Sequence, residues 1–171
     1  FTTSALRGRY EELLLERDPR LPAGGVRFVF VPEPSVEEAA GWVDVMHCYS
    51  ARVYECLREV YCDEPPDLIE FPEFLGEGFV TAQAAQTRDP FLERARIAVR
   101  VHTSAEITDV LDGHLRSDPS WQAVFAMERF ALAHADRLIW QGGDVLSTYE
   151  RFYGKPYLAP AVRIRHPVVP G

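Results

Sequence analysis

Long apolar runs, surplus basic charge and paired cysteines are what this sequence has little of. No stretch of its 171 residues approaches the length of apolar chain that spans a bilayer. Its first residues carry neither the charged n-region nor the apolar core of a secretory signal, so the expected location is cytoplasmic. Acidic residues outnumber basic ones by 26 to 18, giving a net charge of −8 and a pI of about 5.1. That balance argues against a nucleic-acid partner, because phosphate recognition needs a concentrated basic face. Cys48, Cys56 and Cys62 form no CxxC pair, and no His stands at zinc-finger distance from them. They read as reduced thiols, and no metal or other cofactor is expected. His47 has no second ligand at i+4. The lack of GxSxG removes the α/β-hydrolase reading. Without GxGxxG or a P-loop, no motif places a nucleotide. There is no internal repeat and no low-complexity tract.

What is present suffices for one core. Hydrophobic residues make up 47%, with three Trp, seven Tyr and ten Phe. Leu6, Tyr10, Leu13 and Leu14 share a helical face over residues 4–16. Gly24-Gly25 precedes the β-branched and aromatic run Val26 to Val31, which predicts a strand buried on both faces. Ser35 and Glu38 form a capping box. Apolar residues then recur every three or four positions to Val60, predicting one long helix or two joined near Gly41. Pro65-Pro66 introduces Leu68 to Phe71, a buried strand that Pro72 should end. A compact helix follows Gly78. Ile97 to Val101 is a strand that leads straight into His102. Asp118-Pro119 starts a helix, with the cap before proline. Leu138 to Trp140 is a short strand. Asp144 is the expected N-cap of a helix that ends at Tyr153, with Gly154 as its C-terminal cap. Val162 to Ile164 is the last strand. Such alternation implies βαβ units, and hence an α/β, Rossmann-like, mostly parallel sheet with helices on both faces. The chain is expected to open with a helix and to run from His166-Pro167 into a linker, so both ends look cut.

Ligands bind open α/β sheets outside the carboxyl ends of the strands, and three features converge there. The first is the acidic loop with Glu70, Glu73 and Glu77. These carboxylates can accept hydrogen bonds from sugar hydroxyls, or one can serve as a base. In a blander reading Glu73 is solvated and Glu77 favours a helix N-terminus. Glu70, a charge inside an apolar strand, needs a partner. The second is His102, either a satisfied structural group or a catalytic one. The third is Gln141-Gly142-Gly143-Asp144, a turn with a cap or a set of amides that can hold an oxygen.

Four stretches in order resemble the N-terminal domain of GT-B glycosyltransferases, in the glycogen-synthase-like family four. Asp67 to Phe74 with Gly76-Glu77-Gly78 is similar to that family's central strand and loop. Val99-Arg100-Val101-His102-Thr103 is similar to its next strand and histidine. Glu128 to Ala131, continuing through Ala135 to Ile139, resembles the helix and strand after it. Ile164 to Pro167 resembles the strand that leaves the domain. The resemblance covers residues 67–167 and implies two facing Rossmann-like domains. Residues 1–167 would be the acceptor-side one, residues 168–171 the start of a linker, and the donor-binding domain would follow. It implies that His102 contacts the donor sugar or stabilises charge at transfer. It also implies that Glu70, Glu73, Gly76, Glu77, Thr103 and Gln141 line the substrate cleft. The partners would be a nucleotide-diphosphate sugar and a hydroxyl acceptor, with metal-independent transfer and retention. This chain alone would not turn over. The sequence departs from the pattern at the first glycine-rich loop, which has no counterpart, and at Trp140-Gln141, where many members carry serine. A glycan- or peptide-binding module and a sugar-nucleotide epimerase are the alternatives.

Overall fold

The computed structural model describes residues 2–3, 7–8, 29–62 and 64–165. Thr2–Thr3 (β1) pairs in parallel with Phe30–Val31 (β2). A strand therefore precedes the expected first helix, of which only Arg7 and Gly8 are described and are helical. The predicted strand from Val26 lies outside the described residues up to position 28, and so does the linker after residue 165. Val31 is fully buried.

The capping box forms as read. Glu38 N–H donates to Ser35 Oγ at 3.3 Å and Ser35 N–H to Glu38 Oε2 at 2.8 Å, starting Val36–Ala39 (α1). The helix breaks after Ala40, and Asp44 caps a second one, Val45–Val60 (α2), by accepting from Met46 N–H at 2.7 Å. Of the two arrangements that the periodicity allows, the chain takes the broken one.

Four strands then form one parallel sheet in sequential order: Leu68–Pro72 (β3), Arg96–Arg100 (β4), Arg137–Trp140 (β5) and Ala161–Arg163 (β6). Parallel neighbours need crossovers, and helices supply them. Phe79–Gln86 (α3) joins β3 to β4. Ala105–Leu111 (α4) and Pro119–His134 (α5) join β4 to β5, and Val145–Tyr149 (α6) leads toward β6. A π-helical turn, Glu150–Gly154, continues α6. Helices α2, α3 and α5 contact one another beside the sheet. The architecture is a Rossmann-like α/β fold, as the alternation of elements implies.

Strand burial follows position in the sheet. Ile97, Ala98 and Val99 are buried in succession, as are Leu138 and Ile139, so β4 and β5 are covered on both faces. The expectation of a fully buried strand fails for β3. Ile69 and Phe71 are buried, whereas Leu68, Glu70 and Pro72 are exposed. β3 is an outer strand of the four-stranded sheet, and the face that carries Leu68, Glu70 and Pro72 is open. Ile69, Phe71, Ile97, Val99, Leu132 and Leu138 belong to one core cluster. Burying each such side chain stabilises the fold by about 1.5–3 kcal/mol.

Candidate functional site

The register of the sheet determines which loops meet. β3 and β4 run side by side with Pro72 opposite Arg100, and β4 and β5 with Arg100 opposite Ile139. Their carboxyl ends therefore open at one edge. Pairing continues one step past β3, where Glu73 N–H donates to the Arg100 carbonyl at 3.2 Å. That bond sets Glu73 beside the residues that follow β4.

Glu73 is fully buried, not solvated. Its Oε1 accepts from the backbone N–H of His102 at 2.6 Å and from the Tyr149 hydroxyl at 3.0 Å. Its Oε2 has no hydrogen bond and lies 3.5 Å from His102 Nδ1. The His102 ring is 52% exposed. On its far side, Nε2 stands 3.4 Å from the side-chain nitrogen of Gln141, just beyond β5. Glu73, His102 and Gln141, from three successive strand ends, thus make a contiguous set. Burial and then the Glu73 charge push the Tyr149 phenol well above its ordinary range, so it stays protonated and donates.

A second buried carboxylate braces this set. Glu128 on α5 is fully buried. Its Oε1 accepts from Leu75 N–H and Ala105 N–H, both at 2.9 Å, and its Oε2 from Glu106 N–H at 3.3 Å. Ser104 caps α4 by accepting from Ile107 N–H at 3.2 Å, and its hydroxyl meets the Tyr153 hydroxyl at 2.7 Å. The orphan donors at the start of α4 are satisfied in this way. Burial pushes the Glu128 carboxyl up to about 7 against those three bonds, and the Glu73 charge adds to the rise.

The remaining expected residues have different surroundings. Glu70 finds the partner that it needs across the strand: Arg100 Nε and Nη2 donate to its two oxygens at 2.5 and 3.0 Å. This bidentate pair neutralises both charges on the open side of β3. Thr103 is exposed and its hydroxyl donates to the His102 carbonyl at 2.7 Å. Gly76 is buried against α5. Glu77 is half-buried, and burial raises its carboxyl above the ordinary range. It lines two cavities, one of about 220 Å³ along β3 with Tyr49 and Glu70, the other of about 330 Å³ with Met46 and Leu75. His102 lines neither cavity and sits on the open edge. Asp144 occupies the N-cap position of α6 without a side-chain bond to the helix.

Sequence reasoning missed Tyr149 as a partner of Glu73 and Glu128 as a brace. The signal for Glu128 was present, since it falls on the apolar face of α5 among Val124, Phe125 and Leu132, where a carboxylate must find donors. Among the described residues no cluster of three or more acidic, Cys or His side chains is placed to hold a metal ion, and no helix is long and apolar enough to cross a membrane. No protein-family model, curated protein or solved structure matches the chain.

Proposed function

We propose that this chain is the acceptor-side domain of a GT-B glycosyltransferase. The reaction moves a sugar from a nucleotide-diphosphate donor to an acceptor hydroxyl. The bond from the anomeric carbon to the diphosphate oxygen breaks and its electron pair leaves with the diphosphate. A bond to the acceptor oxygen forms, and the hydroxyl proton is released. The observation that carries the reading is the Glu73–His102–Gln141 set at the carboxyl edge of a parallel sheet. Its half-exposed imidazole and uncharged amide suit the hydroxyls of a sugar better than they suit a bare phosphate. The buried carboxylates behind them hold the loops in one geometry, which favours positioning over covalent chemistry. In this reading the donor sugar meets His102 and Gln141, the acceptor lies toward Glu77, and a second domain binds the nucleotide.

The test is His102→Ala in the protein that carries this chain, assayed by release of nucleoside diphosphate from a panel of nucleotide sugars. Turnover should fall about 10²–10³-fold, as for loss of one preorganised polar contact to the reacting centre. Wild-type turnover in the variant would remove His102 from the mechanism. Interconversion of the donor without an acceptor, or glycan binding with no turnover at all, would replace the transferase by one of the alternatives.

A further inference from the structure

We infer that Glu73 is a positioning residue that fixes His102 as the Nδ1–H tautomer, so that Nε2 presents a lone pair to the cleft. The tautomer follows from the contacts alone; its use in sugar transfer rests on the reading above. Two independent observations point the same way. On one side, Glu73 Oε2 is buried without a hydrogen bond, 3.5 Å from Nδ1. A buried carboxylate oxygen needs a donor, and a proton on Nδ1 supplies one when the contact tightens by a few tenths of an ångström. On the other side, the Gln141 amide nitrogen faces Nε2 at 3.4 Å. An amide nitrogen can only donate, so with the amide in this orientation Nε2 is the acceptor.

The carboxylate cannot turn away to find another partner. Its other oxygen is held by the His102 backbone N–H at 2.6 Å and by the Tyr149 hydroxyl at 3.0 Å. Glu73 thus holds the main chain of His102 and faces the ring of the same residue. The arrangement is that of a carboxylate orienting an imidazole through one nitrogen so that the other has a defined role. At the cleft, Nε2 has one lone pair, and a ligand reaches it by displacing the long 3.4 Å contact to Gln141. The ligand group that it recognises is therefore a donor, such as a sugar hydroxyl, and not a phosphate oxygen.

The same geometry makes Glu73→Gln informative. The two donors at Oε1 require an oxygen there, so a carboxamide in this position turns its NH₂ toward Nδ1. Nδ1 must then accept, and the proton moves to Nε2. The experiment is nitrogen-15 NMR of the His102 ring in this chain without substrate, with the ring neutral. The wild type should give a protonated, pyrrole-type signal at Nδ1 and a pyridine-type signal at Nε2. Glu73→Gln should exchange the two, and Gln141→Ala should leave the wild-type pattern in place. A wild-type ring protonated at Nε2, or a Glu73→Gln ring indistinguishable from wild type, would overturn the inference. Should Glu73→Gln fail to fold, the wild-type pattern decides alone. The measurement needs no turnover, so failure of the transferase reading does not touch it.

Discussion

Gly76 adopts φ +67°, and a Cβ built on it would stand 2.7 Å from Met127 Cβ, at the backbone end of a side chain on α5. Its neighbour Leu75 is also left-handed, at φ 59°, a conformation that costs a branched residue about 1–2 kcal/mol. The Leu75 N–H bond to Glu128 helps to hold that strain. The loop after β3 thus turns sharply enough to bury Glu73 and still return to α3. Gly76→Ala should destabilise the chain by about 2–4 kcal/mol, from the left-handed backbone and the collision together. Chemical denaturation would measure it. A loss below half a kilocalorie would mean that α5 can retreat from the loop. Gly76 was expected to line the cleft, and its visible work is to allow this close approach. At Glu73 the solvated reading failed because solvation was judged from local charge, whereas burial came from Tyr149, 76 positions away. No local pattern carries a contact of that range.

The elements were more legible than their environments. Proline and glycine punctuation, capping residues and β-branched runs located four strands to within about a residue, because those signals act over a few neighbouring dihedrals. The start of α5 was legible for the same reason: Asp118 accepts from Trp121 N–H at 3.0 Å, with Pro119 in the first turn. The exposure of one face of β3 was not legible, since it depends on which elements pack over the sheet. Ser50 is an instance of a link between elements that periodicity cannot give. It lies mid-helix in α2, fully buried. Its hydroxyl donates to the Glu77 carbonyl at 2.9 Å and accepts from Val80 N–H at 2.9 Å. It therefore joins α2 to the first turn of α3 and to the far end of the acidic loop. Ser50→Ala removes the partner of a part-buried carbonyl and a part-buried N–H, and should cost about 1–2 kcal/mol. The loss should appear as faster hydrogen exchange over Glu77 to Ala82, with α5 little changed. Equal loosening of both helices would mean that the bond does not act locally.

For the molecule as a whole, the carboxyl edge of the sheet is tied together by an acid whose charge the interior resists. Glu128 connects α5 to the loop after β3 and to the start of α4, so its ionisation is felt across the candidate site. Three N–H donors favour the carboxylate, while burial and the Glu73 charge oppose it. Opposition wins, because the carboxyl is pushed from 4.5 up to about 7. As pH rises past 4.5, the unfolded chain loses this proton while the folded chain keeps it. Unfolding then releases a proton, and stability falls with rising pH until the folded group also ionises near 7. At about 1.4 kcal/mol per pH unit, the decline amounts to about 3 kcal/mol across that window. Other groups titrate there too, so the effect is read as a difference. In Glu128→Gln the amide cannot ionise, and its NH₂ opposes the Glu106 N–H. The variant should be less stable than wild type at low pH. Its deficit should shrink by about 3 kcal/mol between pH 4.5 and 7, as the wild type loses what the variant never had. Urea unfolding of both proteins across that range provides the comparison. Parallel stability curves would assign the titration to another group and leave Glu128 ionised throughout, held by its three donors.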